Sequence, residues 1–419
     1  MPLTDDVRKA IDFGRRTVGY LRARRSVGRL LAGRAPITPG TVEALVYFSD
    51  PVVNAYQITQ WFEPLRLLGE RHPVAVVCRD WETADHLLRE SPIPVHHALT
   101  IADVENFLTT HPVRIIFYVN QNQANFSAFR FADPAHVFIC HGESDKDYMS
   151  SNQLKAYDWT FIAGQAARER IARKLIDFDL DRLIEIGRPQ VDVTYAGPDL
   201  PRDDRTVVLY APTWEGDRPT MTYGSTASHG PAMARALVAT GRHRVIYRPH
   251  PRTGVTLRSA GEGDAEVRRI LTAANAADPR AGHVVDTGPN FGWQIGAADL
   301  CIADISAVTY DWLATGKPMV VTRPADPKAE VETTGLVAAL DLLPAESAPD
   351  IVRVLDALTE PDQAHRDLVT RYFGDTTPGA SMQRWLDACG QVIAERTAAL
   401  EQRAARNGAQ SAAGPIASR

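Results

Sequence analysis

Four short stretches put proton-moving or phosphate-handling groups at the ends of apolar runs. His141-Gly142 follows AHVFIC, and Thr213-Trp214 follows VVLYAP. Arg248-Pro249-His250-Pro251 follows VIY, and Asp304-Ile305-Ser306 follows LCIA just ahead of a helical stretch from Ala307. Histidine can take a proton from a hydroxyl near neutral pH or donate a hydrogen bond. Arginine offers a planar fork that matches phosphate oxygens. The two prolines of RPHP fix φ and stiffen that turn. Ser306 can cap the following helix while amides of its first turn face an anion. Gly142 lets the backbone turn sharply or approach a ligand closely.

Each stretch also has a plainer reading: a satisfied structural histidine, an exposed strand end, a helix cap. What joins them is that their residue types suit one job, group transfer beside a phosphate. Other chemistries find less support. The chain has no GxGxxG or GxxxxGK[ST] phosphate loop, no HExxH, no GxSxG elbow and no DxD pair closing a strand. Cys140 precedes His141 on the same strand, so the two side chains should point to opposite faces, which disfavours a Cys-His nucleophile.

The elements that must position these residues alternate. Apolar strands at TVEALVYFS, HPVAVVCRD, VRIIFYVN, AHVFICHG and AYDWTFIAG are separated by helical stretches such as ETADHLLRES and IADVENFLTT. This is the pattern of parallel, doubly wound α/β sheets. TYAGPDLPRDDR reads as a linker. A second series follows with RTVVLYAPTW, HRVIYRPHP, GHVVDTG, FGWQIGAADLCIAD and KPMVVTR. The expected organisation is a basic segment over 1–40, an α/β domain over 41–197 and a second over 203–385. A C-terminal helix and disordered tail should occupy 386–419. Ligands of such sheets bind beyond the carboxyl ends of the strands, so the site should lie in the cleft between the domains.

At 419 residues, the chain suits two domains. Its net charge of −5 gives no reason to expect nucleic acid as a partner. Four scattered cysteines without a CxxC pair fit a reducing compartment and disfavour a cysteine-built zinc site. The N-terminus lacks the features of a secretory signal, so a cytoplasmic location is expected. Charge is uneven, however. Through Gly40 nine basic residues face three acids, about +6, leaving about −11 elsewhere. Val7, Ile11, Val18, Leu21, Val27, Leu30 and Leu31 recur there at helical spacing. Such a helix either packs on the domain or lies on an anionic membrane surface.

HG after a strand, GRPQVD at 187–192, YAPTW, RPHP, and AD-x-S followed by YDW, in that order, resemble the CDP-glycerol glycerophosphotransferase family. These are teichoic-acid primases and polymerases of bacterial envelopes. The resemblance covers roughly Val137 to Val321. It implies a GT-B-like pair of Rossmann-like domains facing a cleft, with the base on the N-terminal, acceptor side and the donor nucleotide on the C-terminal side. It implies transfer of a polyol phosphate from CDP-glycerol or a related CDP-polyol to a lipid-linked or polymer acceptor at the membrane surface. CMP leaves, and neither metal nor cofactor is expected. By motif, His141 matches the base and His250 the histidine on the donor's diphosphate. Asp304 and Ser306 match the start of a DxSS motif, and Thr213 lies in the APT segment of the donor site. With Gly142 and Arg248 these complete the expected site.

Three departures mark this chain. Ala307 stands where the family has a second serine. Glu215-Gly216-Asp217 follows APTW where arginine is usual, and ESDKDY follows the HG. They keep two alternatives open: a GT-B glycosyltransferase using a nucleotide sugar, and a nucleotide-binding envelope protein without catalysis. Glu143 to Lys146 are expected to make acceptor-specific contacts or to form a solvated turn.

Overall fold

The computed structural model describes residues 2–145, 147–288, 291–331, 333–358 and 363–412; side chains of residues 2–16, 147–148 and 408–412 are left undescribed. The first sheet contains β1 (Ala44–Phe48), β2 (Val74–Cys78), β3 (Val95–His97), β4 (Ile115–Tyr118), β5 (Ala135–Phe138), β6 (Trp159–Ile162) and β7 (Leu183–Glu185). The second contains β8 (Thr206–Ala211), β9 (His243–Tyr247), β10 (Val284–Val285), β11 (Leu300–Ala303) and β12 (Met319–Val321). Their orders are β3-β2-β1-β4-β5-β6-β7 and β10-β9-β8-β11-β12. Every described pairing between these strands is parallel. This is the doubly wound α/β architecture expected from the alternation of strands and helices.

The central strands ALVYF, VAVVC and IIFY are buried along their whole length. Helices on both faces of a parallel sheet demand such continuous apolar runs. β3 was not anticipated, because three residues after SPIP are too few to show a period. In the second sheet the strand order reverses between β8 and β11. The APT segment follows β8 and Asp304-Ile305-Ser306 follows β11, so both sit at that switch point.

The C-terminal helix, Ala380–Ala412, returns to the first sheet. Trp385 is fully buried there with Trp61 and Phe117, and its indole N–H donates to the Pro64 carbonyl at 3.1 Å. The helix thus takes up most of the expected helix-and-tail segment 386–419, running to Ala412; residues 413–419 lie outside the described ones.

The N-terminal helix, Pro2–Ala32, packs its second half on helix Trp81–Glu90. Val27 is fully buried, Arg89 donates to Ser26 Oγ at 2.7 Å, and Trp81 Nε1 donates to the Tyr20 hydroxyl at 2.9 Å. Val18 and Leu21, by contrast, are 47% and 43% exposed. The side chains of Val7 and Ile11 lie outside the described residues. Among the described residues no helix is long and apolar enough to cross a membrane.

Candidate active site

β5 ends in a strained turn. Cys140 has φ of 53°, a left-handed conformation that costs a residue with a Cβ roughly 1 kcal/mol or more. Its carbonyl accepts from the Trp61 indole at 2.5 Å, while its thiol is buried and pushed up in pKa by that burial. The turn delivers His141 to a cavity of about 180 Å³ between the sheets. The imidazole Nδ1 lies 3.1 Å from the Val119 carbonyl oxygen. A carbonyl only accepts, so Nδ1 carries the proton and Nε2 is the basic nitrogen.

Across the cavity the second domain offers the opposite tautomer. His250 Nδ1 accepts from the Arg252 amide at 3.1 Å, which puts the ring proton on Nε2. This amide contact favours the neutral ring. Tyr56 stands between the two histidines, edge-on to His141 at 6.0 Å and to His250 at 5.6 Å. Trp214 lies nearly parallel to His250 at 6.3 Å, and the Arg252 guanidinium sits 3.7 Å from the Trp214 ring centre.

Most of the expected residues line the cavity, while Gly142 and Asp304 are not part of its lining. Thr213, Arg248, His250, Ser306, Ala307 and His141 line it. Arg248 is already ion-paired, with Nη1 2.7 Å from Asp286 Oδ2. Asp304 is 0% exposed and is not part of the wall. Its Oδ2 accepts from the amides of Thr213 at 2.8 Å and Ser225 at 2.9 Å, and its Oδ1 from the Thr322 hydroxyl at 2.5 Å. Burial pushes this carboxyl up in pKa against those donors. It holds the APT segment in place from behind the cavity wall.

Ser306 does not cap its helix, Ala307–Leu313. Its hydroxyl is buried and has no hydrogen-bond partner among the described residues. Beside it, a Cβ built on Gly142 would sit 2.9 Å from the Ala307 Cβ. The two cavity walls therefore touch where one contributes a glycine and the other a methyl group. Ala307 replaces the family's serine at this crowded point. Gly142→Ala is expected to force the walls apart at a cost of about 1–3 kcal/mol, read by denaturant titration. Unchanged stability would show that the contact yields freely.

The acidic departures also turn away from the cavity. Glu215 accepts from the amides of Gly254, Thr256 and Leu257 at 3.0, 2.8 and 3.1 Å. Burial would raise its carboxyl, but these amides hold it below the usual value. It braces the loop after RPHP. Glu143, Ser144 and Asp145 are not a solvated turn. Arg170 reaches Glu143 at 2.6 Å and Asp145 at 2.9 Å, and the Tyr310 and Tyr372 hydroxyls donate to Asp145 at 3.0 and 2.5 Å. The segment ties the first domain to the second. Lys146 lies outside the described residues.

Sequence reading missed Arg188 and Asp311, although both lie in the quoted motifs GRPQVD and YDW. They form a buried pair at 2.6 Å. Their residue types carried a signal, but a partnership across two domains has no local spacing to reveal it. Among the described residues no group of three or more His, Cys, Asp or Glu is placed to hold a metal ion.

Comparison with known proteins agrees with this geometry. The wall teichoic acid polymerase TagF superposes with a TM-score of 0.54 at 13% identity, covering 94% of this chain and 99% of that one. UDP-GlcNAc 2-epimerase from Neisseria meningitidis, bound to UDP-GlcNAc, superposes at 0.51 with 11% identity, covering 84% and 100%. A putative UDP-N-acetylglucosamine 2-epimerase from Listeria monocytogenes gives 0.52 at 13%, covering 84% and 97%. At such identities these similarities establish the fold, two parallel-sheet domains of GT-B-like arrangement. No curated protein matches the sequence. The family model for CDP-glycerol:poly(glycerophosphate) glycerophosphotransferase matches residues 140–371, from the turn bearing His141 past the switch-point loops. The chain belongs to that glycerophosphotransferase family.

Proposed function

We propose that the protein transfers a polyol phosphate from a CDP-activated donor, CDP-glycerol or a close relative, to a hydroxyl of a lipid-linked or polymeric acceptor. The observation that carries this reading is the pair of opposed tautomers across one cavity. His141 Nε2 takes the proton of the acceptor hydroxyl as its oxygen attacks the β-phosphorus. The bond from that phosphorus to the bridging oxygen breaks, and CMP leaves with the oxygen. His250 Nε2–H donates to the diphosphate as charge gathers there. Arg248 lines the same wall, paired with Asp286, Arg252 adds positive charge beside it over the Trp214 ring, and the Ser306 hydroxyl supplies a further polar group. The residues mainly position the reactants and stabilise charge, and no metal is assigned to the site.

Glu215 and Ala307, the departures that suggested lost chemistry, have structural employment and leave the cavity's histidines intact. That favours an active enzyme over a non-catalytic binding protein. A thermal-shift screen tests the donor. CDP-glycerol should raise the melting temperature in proportion to binding, and UDP-sugars should do so less. Stabilisation by UDP-GlcNAc with none by any CDP-polyol would favour the glycosyltransferase reading.

The N-terminal helix supports placing the acceptor at a membrane surface. Its exposed Val18 and Leu21 lie among the exposed Arg22, Arg24, Arg25 and Arg29, a composition suited to an anionic lipid surface. Replacing Val18 and Leu21 by serine should reduce sedimentation with anionic liposomes and leave melting unchanged. Undiminished binding would assign the helix to packing alone.

A further inference from the structure

The turn bearing His141 is held from the second domain through Arg188. This guanidinium sits just after β7 and is 5% exposed. Its Nη2 donates to the His141 carbonyl at 3.2 Å and to Gln60 Oε1 at 3.0 Å. Its Nε donates to Asp311 Oδ1 at 2.6 Å. Asp311 lies on helix Ala307–Leu313, whose first residue touches Gly142 and follows Ser306. One buried cation therefore binds the backbone of the base residue, a cavity-lining glutamine and the helix that follows the phosphate wall.

We propose that Arg188 and Asp311 are positioning residues for transfer, tying His141 through its carbonyl to the donor-side helix. The inference rests on the proposed role of His141 as base. Cys140 is strained, so the turn does not hold its shape by local preference alone. Trp61 fixes the Cys140 carbonyl and Val119 fixes Nδ1; Arg188, from the same domain, adds a restraint that it shares with Asp311 of the other domain. Its consequence is that the base is correctly aimed when the two walls are together. A shift of the donor-side helix is transmitted to the base through two charged contacts. That arrangement would restrict proton abstraction to the closed cavity, where acceptor and donor are both held.

Removing one partner would leave the other as a buried unpaired charge, and the protein could simply unfold. The informative variants are therefore Arg188→Lys, which keeps the charge but loses the fork, and the double replacement Arg188→Met with Asp311→Leu, which removes both charges. Two readouts are made on the full chain, with thermal melting as the folding control. The first is steady-state transfer with CDP-glycerol. The proposal expects kcat to fall by about 10²-fold, as for a base misplaced by about 1 Å, with donor KM within about threefold of wild type. The second is the tautomer of His141 by ¹H–¹⁵N correlation in ¹⁵N-labelled protein, assigned by loss of the signal in His141→Gln. Wild type should show the Nδ1–H form, and both variants should show it averaged or exchanged. Folded variants with wild-type kcat would overturn the proposal. If wild-type protein transfers nothing from CDP-glycerol, the functional reading fails separately, and the tautomer readout then decides: an unchanged His141 signal in the folded double variant would overturn the positioning role.

Discussion

His141→Ala is expected to lower turnover by about 10²–10⁴-fold while leaving melting and donor affinity close to wild type. The imidazole touches the cavity from a turn whose fold is set by other groups: the Trp61 indole on the Cys140 carbonyl and Arg188 on the His141 carbonyl. Both contacts are to backbone and survive truncation of the ring. The ring's hydrogen bond from Nδ1 to the Val119 carbonyl would be replaced by water from the cavity. Donor affinity should persist because the donor's proposed contacts lie on the opposite wall, at Arg248, His250 and Ser306. If activity is unchanged, His141 is not the base. If melting collapses as well, the histidine is mainly a packing residue and the plainer reading of its sequence context was correct.

The second large effect concerns Asp304, where two substitutions should separate sharply. Asp304→Ala removes the acceptor of two amides and a hydroxyl in a fully buried place. Each orphaned buried donor costs about 1–3 kcal/mol, so a loss of about 3 kcal/mol or more in stability is expected, with weaker donor binding as Thr213 drifts. Asp304→Asn should be tolerated. Its amide oxygen can occupy the Oδ2 position and keep both backbone N–H bonds, while its NH₂ donates to the Thr322 hydroxyl, which can turn to accept. Chemical denaturation and CMP release measure the two effects. An Asn variant that is stable but inactive would mean that the carboxylate acts on the reaction and not on the loop.

Much of the architecture was legible because parallel strands covered on both faces must be continuously apolar. ALVYF, VAVVC and IIFY announce themselves in this way, and the helices between them imply crossovers. The location of the site was legible for a related reason. His141, Thr213, Arg248 and Ser306 all follow strands, and doubly wound sheets bind ligands at those ends. The individual roles were less legible. Asp304 occupies the motif position expected at a phosphate, but whether a carboxylate faces a cavity or two amides depends on the backbone of residues 213 and 225. Glu215 and Glu143 looked like charges placed in the site, yet each is consumed by donors far along the chain: three amides at 254–257 and Arg170. The Arg188–Asp311 pair joins two domains, and no local period connects its members.

The departures from the family pattern also change meaning once contacts are known. Ala307 faces Gly142 across a gap too narrow for a further methyl group. A hydroxyl there would need both space and a partner. ESD after His141-Gly142 is held by Arg170 of its own domain and, at Asp145, by Tyr310 and Tyr372 of the second domain.

The central claim is that the two facing histidines serve phosphoryl transfer from a CDP-polyol. The most direct test is ³¹P NMR of the purified protein with CDP-glycerol and a hydroxyl-bearing glycerophosphate acceptor, with a parallel sample containing UDP-GlcNAc. The account predicts acceptor-dependent CMP together with a new phosphodiester signal, both lost in His141→Ala. Release of UDP from the parallel sample, with CDP-glycerol left intact, would contradict it.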